Sequence, residues 1–450
     1  MKTQDMTTGS PMRNILIFAL PLLLGNIFQQ LYNVVDSTIV GRLIGADALA
    51  AVGAPGNVLM LIMCLCFGLT NGTGVIIAQC VGARNFTQLK SVLGTFVFII
   101  GILSGIIMVL GTAIAYPILR AINVPDSIIK DAALYMRVLI LATPFTMMYN
   151  ACSAIMRNMG NSKTPLLVLI LSSVLNAVLD IVFVAGLHWG VFGTALATAL
   201  STAISAFVCF MFLYRNRFDL HIDGIRIHYT KDNAHMIIKT GTPVAMQSCM
   251  ISLGTLSVNS LINSFGTQTM AAYVASTKID SVAIMVIISM GMSLSVYTGQ
   301  NVGAGNIKNI NTALIKTLSL VLSYCLVITL ILLFFGDKIL SLFLDPKKAP
   351  ESIAIGTQYL KIIGSAYFMA GIMRCYLNII HGAGDINVSM LTGIIELSVR
   401  IIASYALVRP LGVTGLWIAI PISWGSGSLV PLIRYYSGKW KEKTLVTAQI

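Results

Sequence analysis

Charge is what this sequence has least of. Only 10% of its 450 residues are Asp, Glu, Lys or Arg, where a soluble globular chain carries about 25%. With 56% hydrophobic residues and a mean hydropathy of +0.86, that scarcity excludes an ordinary soluble domain and implies a polytopic membrane protein. Acids are the scarcer sign, 16 against 29 bases. The resulting net charge of +13 invites a nucleic-acid reading, but the bases are scattered over short loops and the C-terminal tail, so no nucleic-acid partner is expected. Cysteine motifs are missing as well. The eight cysteines show neither C-x-x-C nor Cys/His metal spacing and read as small buried apolar residues. There is no G-x-x-x-x-G-K-[ST] loop, no H-E-x-x-H and no G-x-S-x-G, which disfavours ATP hydrolysis and proteolysis of those types, and no enzyme is expected. No repeated selectivity-filter loop suggests a channel. The polar start MKTQDMTTGSPMRN runs straight into a span-length apolar segment, so no cleavable signal is expected.

What the chain does have is apolar runs of bilayer length. Twelve spans are predicted, near 15–41, 52–78, 92–118, 132–157, 165–187, 191–214, 236–264, 270–297, 312–336, 353–380, 387–408 and 412–435. An even number puts both termini on one side. Placing them in the cytoplasm puts seventeen basic residues inside and seven outside, which sets the orientation in the cell membrane.

The two halves of the chain repeat. IGADALAAVGA from Ile44 parallels FGTQTMAAYVA from Phe265, AQCVGARN from Ala78 parallels GQNVGAGN from Gly299, and Pro21 pairs with Pro243. These offsets are 221 to 222 residues, and Gly160 pairs with Gly384 at 224. Six spans per repeat keeps the halves in the same orientation, related by an axis along the membrane normal. The expected fold is therefore an all-α membrane protein of two six-helix lobes: an N-lobe at 1–214, a cytoplasmic linker at 215–235, a C-lobe at 236–435 and a cytoplasmic tail at 436–450.

The first span carries the strongest functional signal. Asn26, Gln29, Gln30, Asn33 and Asp36 recur at helical spacing and form one polar stripe on an apolar cylinder. A carboxylate in a span is costly unless protonated, paired or bound to a cation, which singles out Asp36. Asn176 and Asp180 stand one turn apart in span five. Thr194 and Thr198 share a face of span six, and Asn150 lies in span four. Together they could enclose a hydrated pocket of oxygen ligands suited to a proton or a hard cation such as Na+. Isolated interhelical hydrogen bonds would leave the same pattern.

The second lobe is charged differently. Asn150 corresponds to Arg374 and Asn176 to Arg400, with Glu396 one turn before Arg400, while Lys278 and Asp280 lie in span eight. Three bases and two acids in apolar surroundings should pair with one another, bracing the lobe, or else handle substrate.

At QQLYNVVDSTIVGRLIGADALAAVG, AQCVGARN with its echo GQNVGAGN, and LNAVLD followed by Thr198, the chain resembles the multidrug and toxic compound extrusion transporters, and the likeness runs over its whole length. The resemblance implies a twelve-helix, cation-coupled antiporter. By motif its ion site would be Asp36, Asn176, Asp180 and Thr198, with Thr194 giving a backbone oxygen and Asn150 in the same network. Pro21 matches a first-helix proline about which bending has been proposed. Gln29, Gln30 and Asn33 become cavity residues. One branch also uses C-lobe acids, near Ile251 and Ala370 here, so coupling is expected through the N-lobe alone. The expectation is efflux of cytoplasmic organic cations or amphipathic drugs against inward Na+ or H+, with no cofactor beyond the coupling ion. The partners are small molecules and membrane lipid, and the working unit is a monomer. The alternative is a flippase of lipid-linked anionic intermediates, for which Arg374 and Arg400 would be ligands.

Overall fold

The computed structural model describes residues 3–446; Lys2 and the tail residues 447–450 lie outside them. Fifteen α-helices account for most of the described chain, and among the described residues there is no strand. The first half holds α1 (Pro11–Leu43), α2 (Ala46–Gly53), α3 (Gly56–Gly82), α4 (Phe86–Ala121), α5 (Ile129–Leu141), α6 (Thr143–Asn158), α7 (Lys163–Asp180) and α8 (Gly190–Arg215). The second holds α9 (Lys231–Asn263), α10 (Thr267–Gly303), α11 (Ile307–Leu340), α12 (Pro350–Ser365), α13 (Tyr367–Gly382), α14 (Asn387–Leu411) and α15 (Val413–Tyr436).

These helices resolve into twelve crossings. Nine segments are long and apolar enough by themselves, with α2 and α3 counting as one, and the bent pairs α5/α6 and α12/α13 supply two more. The twelfth is α9, whose 33 residues extend about 50 Å. Its apolar run is diluted by Gln247, Ser248, Ser252, Thr255, Ser257 and Asn259. Large apolar side chains such as Val109 (64% exposed) and Phe334 (71% exposed) lie on the surface. That is a surface suited to lipid rather than to water.

By its internal contacts the chain divides into two units. One takes the described residues up to Asp5, Leu20–Val81 and Asn85–Thr242; the other takes Met6–Ala19, Gly82–Arg84 and the residues from Pro243 on. The polar break between the halves packs on the first unit. Leu220 and Ile222 are buried, Lys90 pairs with Asp223 at 3.2 Å, and Asn233 donates to Ser91 at 2.8 Å. Helix α1 changes unit between Ala19 and Leu20, one residue before the buried Pro21.

The internal repeat shows in the backbone. Gly45 and Gly266, matched in sequence, both precede a helix with positive φ, 120° and 90°. Gly160 and Gly384 likewise turn with φ of 90° and 96°. A Cβ on Gly160 would stand 2.2 Å from the Gln4 carbonyl oxygen, and one on Gly384 2.7 Å from that of Lys443, so only glycine fits these turns. The bends repeat too. α5 and α6 meet at 48° around Ala142, α12 and α13 at 44° around Ala366, 224 residues apart. Pro144 follows the first bend while Phe368 holds the matching place after the second, so the bend belongs to the packing and not to proline alone.

Candidate functional site

The first unit brings α1, α5, α7 and α8 together around two carboxylates. Asp36 comes from α1. Asp180 is the last residue of α7, fully buried, and Asn176 one turn before it is 1% exposed. Immediately after Asp180 the backbone widens into a π-turn over Ile181–Gly186, closed by Leu187 N–H donating to the Val182 carbonyl at 2.9 Å. Such turns interrupt the regular ladder and recur where a side chain must be aimed. Phe183 stacks on Trp189 at 5.2 Å and holds this corner closed.

Around the acids the polar groups interlock. The carboxyls of Asp36 and Asp180 lie within hydrogen-bonding range of each other. Asn176, oriented to satisfy both neighbours, donates to Asp180 Oδ2 at 2.9 Å and accepts from Thr198 Oγ1 at 3.3 Å. Tyr32, one turn before Asp36, shares a hydrogen bond with Thr198. Tyr135 of α5 is within electrostatic reach of both carboxyls and of Tyr32. Three oxygens here, Asp36 Oδ1, Asp180 Oδ1 and Thr194 Oγ1, are buried without a hydrogen-bond partner. Among the described residues neither acid has a basic partner. Two such carboxyls in contact need a proton or a cation between them, because repulsion and desolvation both oppose a bare pair. The orphaned oxygens, the amide and the hydroxyls fit a small hard cation. Clusters of three or more His, Cys, Asp or Glu are absent among the described residues.

Beside this pair lies a cavity of about 270 Å³, walled by residues that include Gln29, Tyr32, Tyr149, Asn150, Ser173 and Ser201. Tyr32 belongs to both, lining the cavity and sharing its hydrogen bond with Thr198 beside the acids. Asn150 lines the cavity and gives its amide to the Thr146 carbonyl at 2.9 Å, and among the described residues no hydrogen bond joins it to the acids. Gln30 and Asn33 are exposed on α1, 3.5 Å from each other.

In the second unit only part of the expected charge network assembles. Glu396 and Arg400 pair at 2.8 Å, 6% and 11% exposed, and Arg400 also donates to Ser423 Oγ at 3.3 Å. Asp280 is held by phenols: Tyr367 donates to it at 2.7 Å and Tyr359 also bonds it, with Arg400 in electrostatic reach. Lys278 and Arg374 form no ion pair among the described residues. Two residues apart on α10, Lys278 and Asp280 point about 200° apart, so they cannot share a face. Glu396 is already committed to Arg400, which leaves Arg374 without that partner.

The tyrosines were not singled out from the sequence, although signals existed. Tyr32 precedes Asp36 by one turn, and Tyr135 is echoed at offset 224 by Tyr359, so each unit sets a tyrosine against a carboxylate. The same offsets put Val258 and Ser404 at the places of Asp36 and Asp180, and Gly254 at that of Tyr32. A Cβ on Gly254 would lie 3.7 Å from Arg400 Cδ, so in the second unit the arginine runs beside the small residue at the tyrosine's place.

The chain is similar along nearly its full length to two proteins of Bacillus subtilis (strain 168). It is 28% identical over 461 residues to the probable multidrug resistance protein YoeA, covering 98% of this chain and 97% of the relative. It is 28% identical over 448 residues to the probable multidrug resistance protein YpnP, covering 99% and 100%. Its fold matches that of a MATE protein crystallised in complex with MaL6, with a TM-score of 0.91 at 24% identity over 98% of this chain and 100% of the other. The MatE family model matches residues 21–182 and 243–406, one stretch in each half of the repeat. That double match shows the chain to belong to the MatE family, as a multi-pass membrane transporter and not an enzyme.

Proposed function

We propose that this transporter is a secondary antiporter of the cell membrane, with both termini cytoplasmic, which expels organic cations or amphipathic drugs in exchange for inward Na+ or H+ and works as a monomer. The observation that carries the proposal is the Asp36–Asp180 pair, two contacting carboxyls with orphaned oxygens and no basic partner among the described residues. Asp36, Asp180, Asn176 and Thr198 hold the ion, with Thr194 beside them. Tyr32, which also lines the cavity, and the buried Tyr135 stand beside it. Capture of the ion relieves the repulsion between the acids and lets α1 draw toward α7 and α8. Release restores the repulsion and reopens the gap. Coupling requires only that the ion bind one of these arrangements more tightly than the other. The cavity that Gln29 and Tyr32 of α1 line changes shape as α1 moves, which ties ion occupancy to the space open to substrate.

The flippase reading loses one of its ligands, since Arg400 is engaged by Glu396 and Ser423. The test is dye transport by purified protein in proteoliposomes under an imposed Na+ or H+ gradient. Transport driven by one of these gradients is expected. Equal transport with neither gradient present would contradict the proposal.

A further inference from the structure

A second cavity, of about 480 Å³, lies in the second unit along the first turns of α10. Met270, Val274, Phe343 and Leu344 give it apolar walls, and Lys278 is the charged residue lining it. Lys278 is exposed and has no ion pair among the described residues, while Asp280 faces the other way into its phenols. It sits eleven residues into α10, about 16 Å along the helix from Thr267. A bare ammonium on an apolar span is unfavourable against hydrocarbon, and such groups face a wet cavity or a partner. The described protein supplies no carboxylate for it, and a cationic ligand would meet repulsion. Apolar walls around one fixed positive charge match an amphiphile whose head is anionic.

We infer that this cavity is a binding site for amphipathic anions, with Lys278 receiving a sulfonate, phosphate or carboxylate head and Met270, Val274, Phe343 and Leu344 taking the apolar body. This widens the substrate class of the proposed antiporter beyond cations, and it rests on that reading only for the route by which the ligand is moved. The head group could arrive on a soluble compound or on a bilayer lipid.

Binding is tested in nanodiscs with two fluorescent probes that share one aromatic body: 8-anilinonaphthalene-1-sulfonate, which is anionic, and N-phenyl-1-naphthylamine, which is uncharged. Lys278→Met should weaken the sulfonate probe about tenfold, the scale of one charge-assisted hydrogen bond. The uncharged probe should bind as before, and Lys278→Arg should retain sulfonate binding. Unchanged sulfonate affinity in Lys278→Met, or equal weakening of both probes, would overturn the inference. Displacement of the probe when phosphatidylglycerol replaces phosphatidylcholine supports a lipid ligand. Undiminished binding supports a soluble one. The Lys278 dependence should persist in an Asp36→Asn background, so failure of ion coupling and failure of this site are read separately.

Discussion

At the scale of single residues, the two charged clusters call for opposite experiments. Asp36 and Asp180 touch as acids with no base among the described residues, so under the proposed function their worth lies in the ion they would take up. Asp36→Asn and Asp180→Asn should each abolish gradient-driven efflux, with the protein still folded and inserted, as read by whole-cell dye accumulation beside membrane protein yield. Glu396 and Arg400 pair with each other and, through Arg400, with Ser423, and among the described residues Arg400 has no other carboxylate bonded to it. Glu396→Gln should therefore lower thermal stability, by about 3–5 kcal/mol for breaking a buried pair. An unchanged melting temperature with a narrowed substrate range would make the pair a substrate contact instead. Most of these residues were legible in the sequence because ionisable groups in apolar runs stand out. The tyrosines that complete both sites were not, since a tyrosine in a span is common and only its place beside an acid gives it meaning.

At the scale of helices, the polar stripe of α1 and the Asn176–Asp180 spacing of α7 follow directly from helical periodicity. The π-turn after Asp180 and the bends at Ala142 and Ala366 do not. Phe368 stands where proline would have announced the second bend, and no residue of IVFVAG from Ile181 marks a widened turn. Tertiary packing sets these features, and packing is invisible to a local pattern. Pro21 lies near the point where α1 changes from one contact unit to the other, and it cannot donate to the preceding turn, which leaves a mechanically weak place there. From Pro21 to Asp36 is fifteen residues, about 22 Å. If ion capture bends α1 there, spin labels on the α1 segment after Pro21 and on α7 should change separation with Na+ concentration or pH. A distance that stays fixed in every ionic condition would make Pro21 a static kink.

At the scale of the whole molecule, the duplicated plan was readable because its echoes fall on glycines that the backbone requires, Gly45 with Gly266 and Gly160 with Gly384. The count of twelve spans was legible as well, although α9 spreads hydroxyls and amides through its apolar run; what the sequence did not announce is that two crossings are broken into bent pairs. Duplication also exposes the division of labour. The first unit carries the acid pair, and the second has Val258 and Ser404 at the matching places with a neutralised Glu396–Arg400 pair nearby. Ion exchange should then depend on the first unit, and Glu396→Gln, where it folds, should keep the ion dependence of transport. Coupling between two ligands is reciprocal, so a substrate gradient must be able to move the ion as surely as the ion moves substrate. The most direct measurement imposes a dye gradient across proteoliposomes with no ion gradient and follows H+ and Na+ with indicators. Ion movement opposite to the dye, lost in Asp36→Asn, is the predicted result; dye flux without ion movement, or ion moving with the dye, would contradict it.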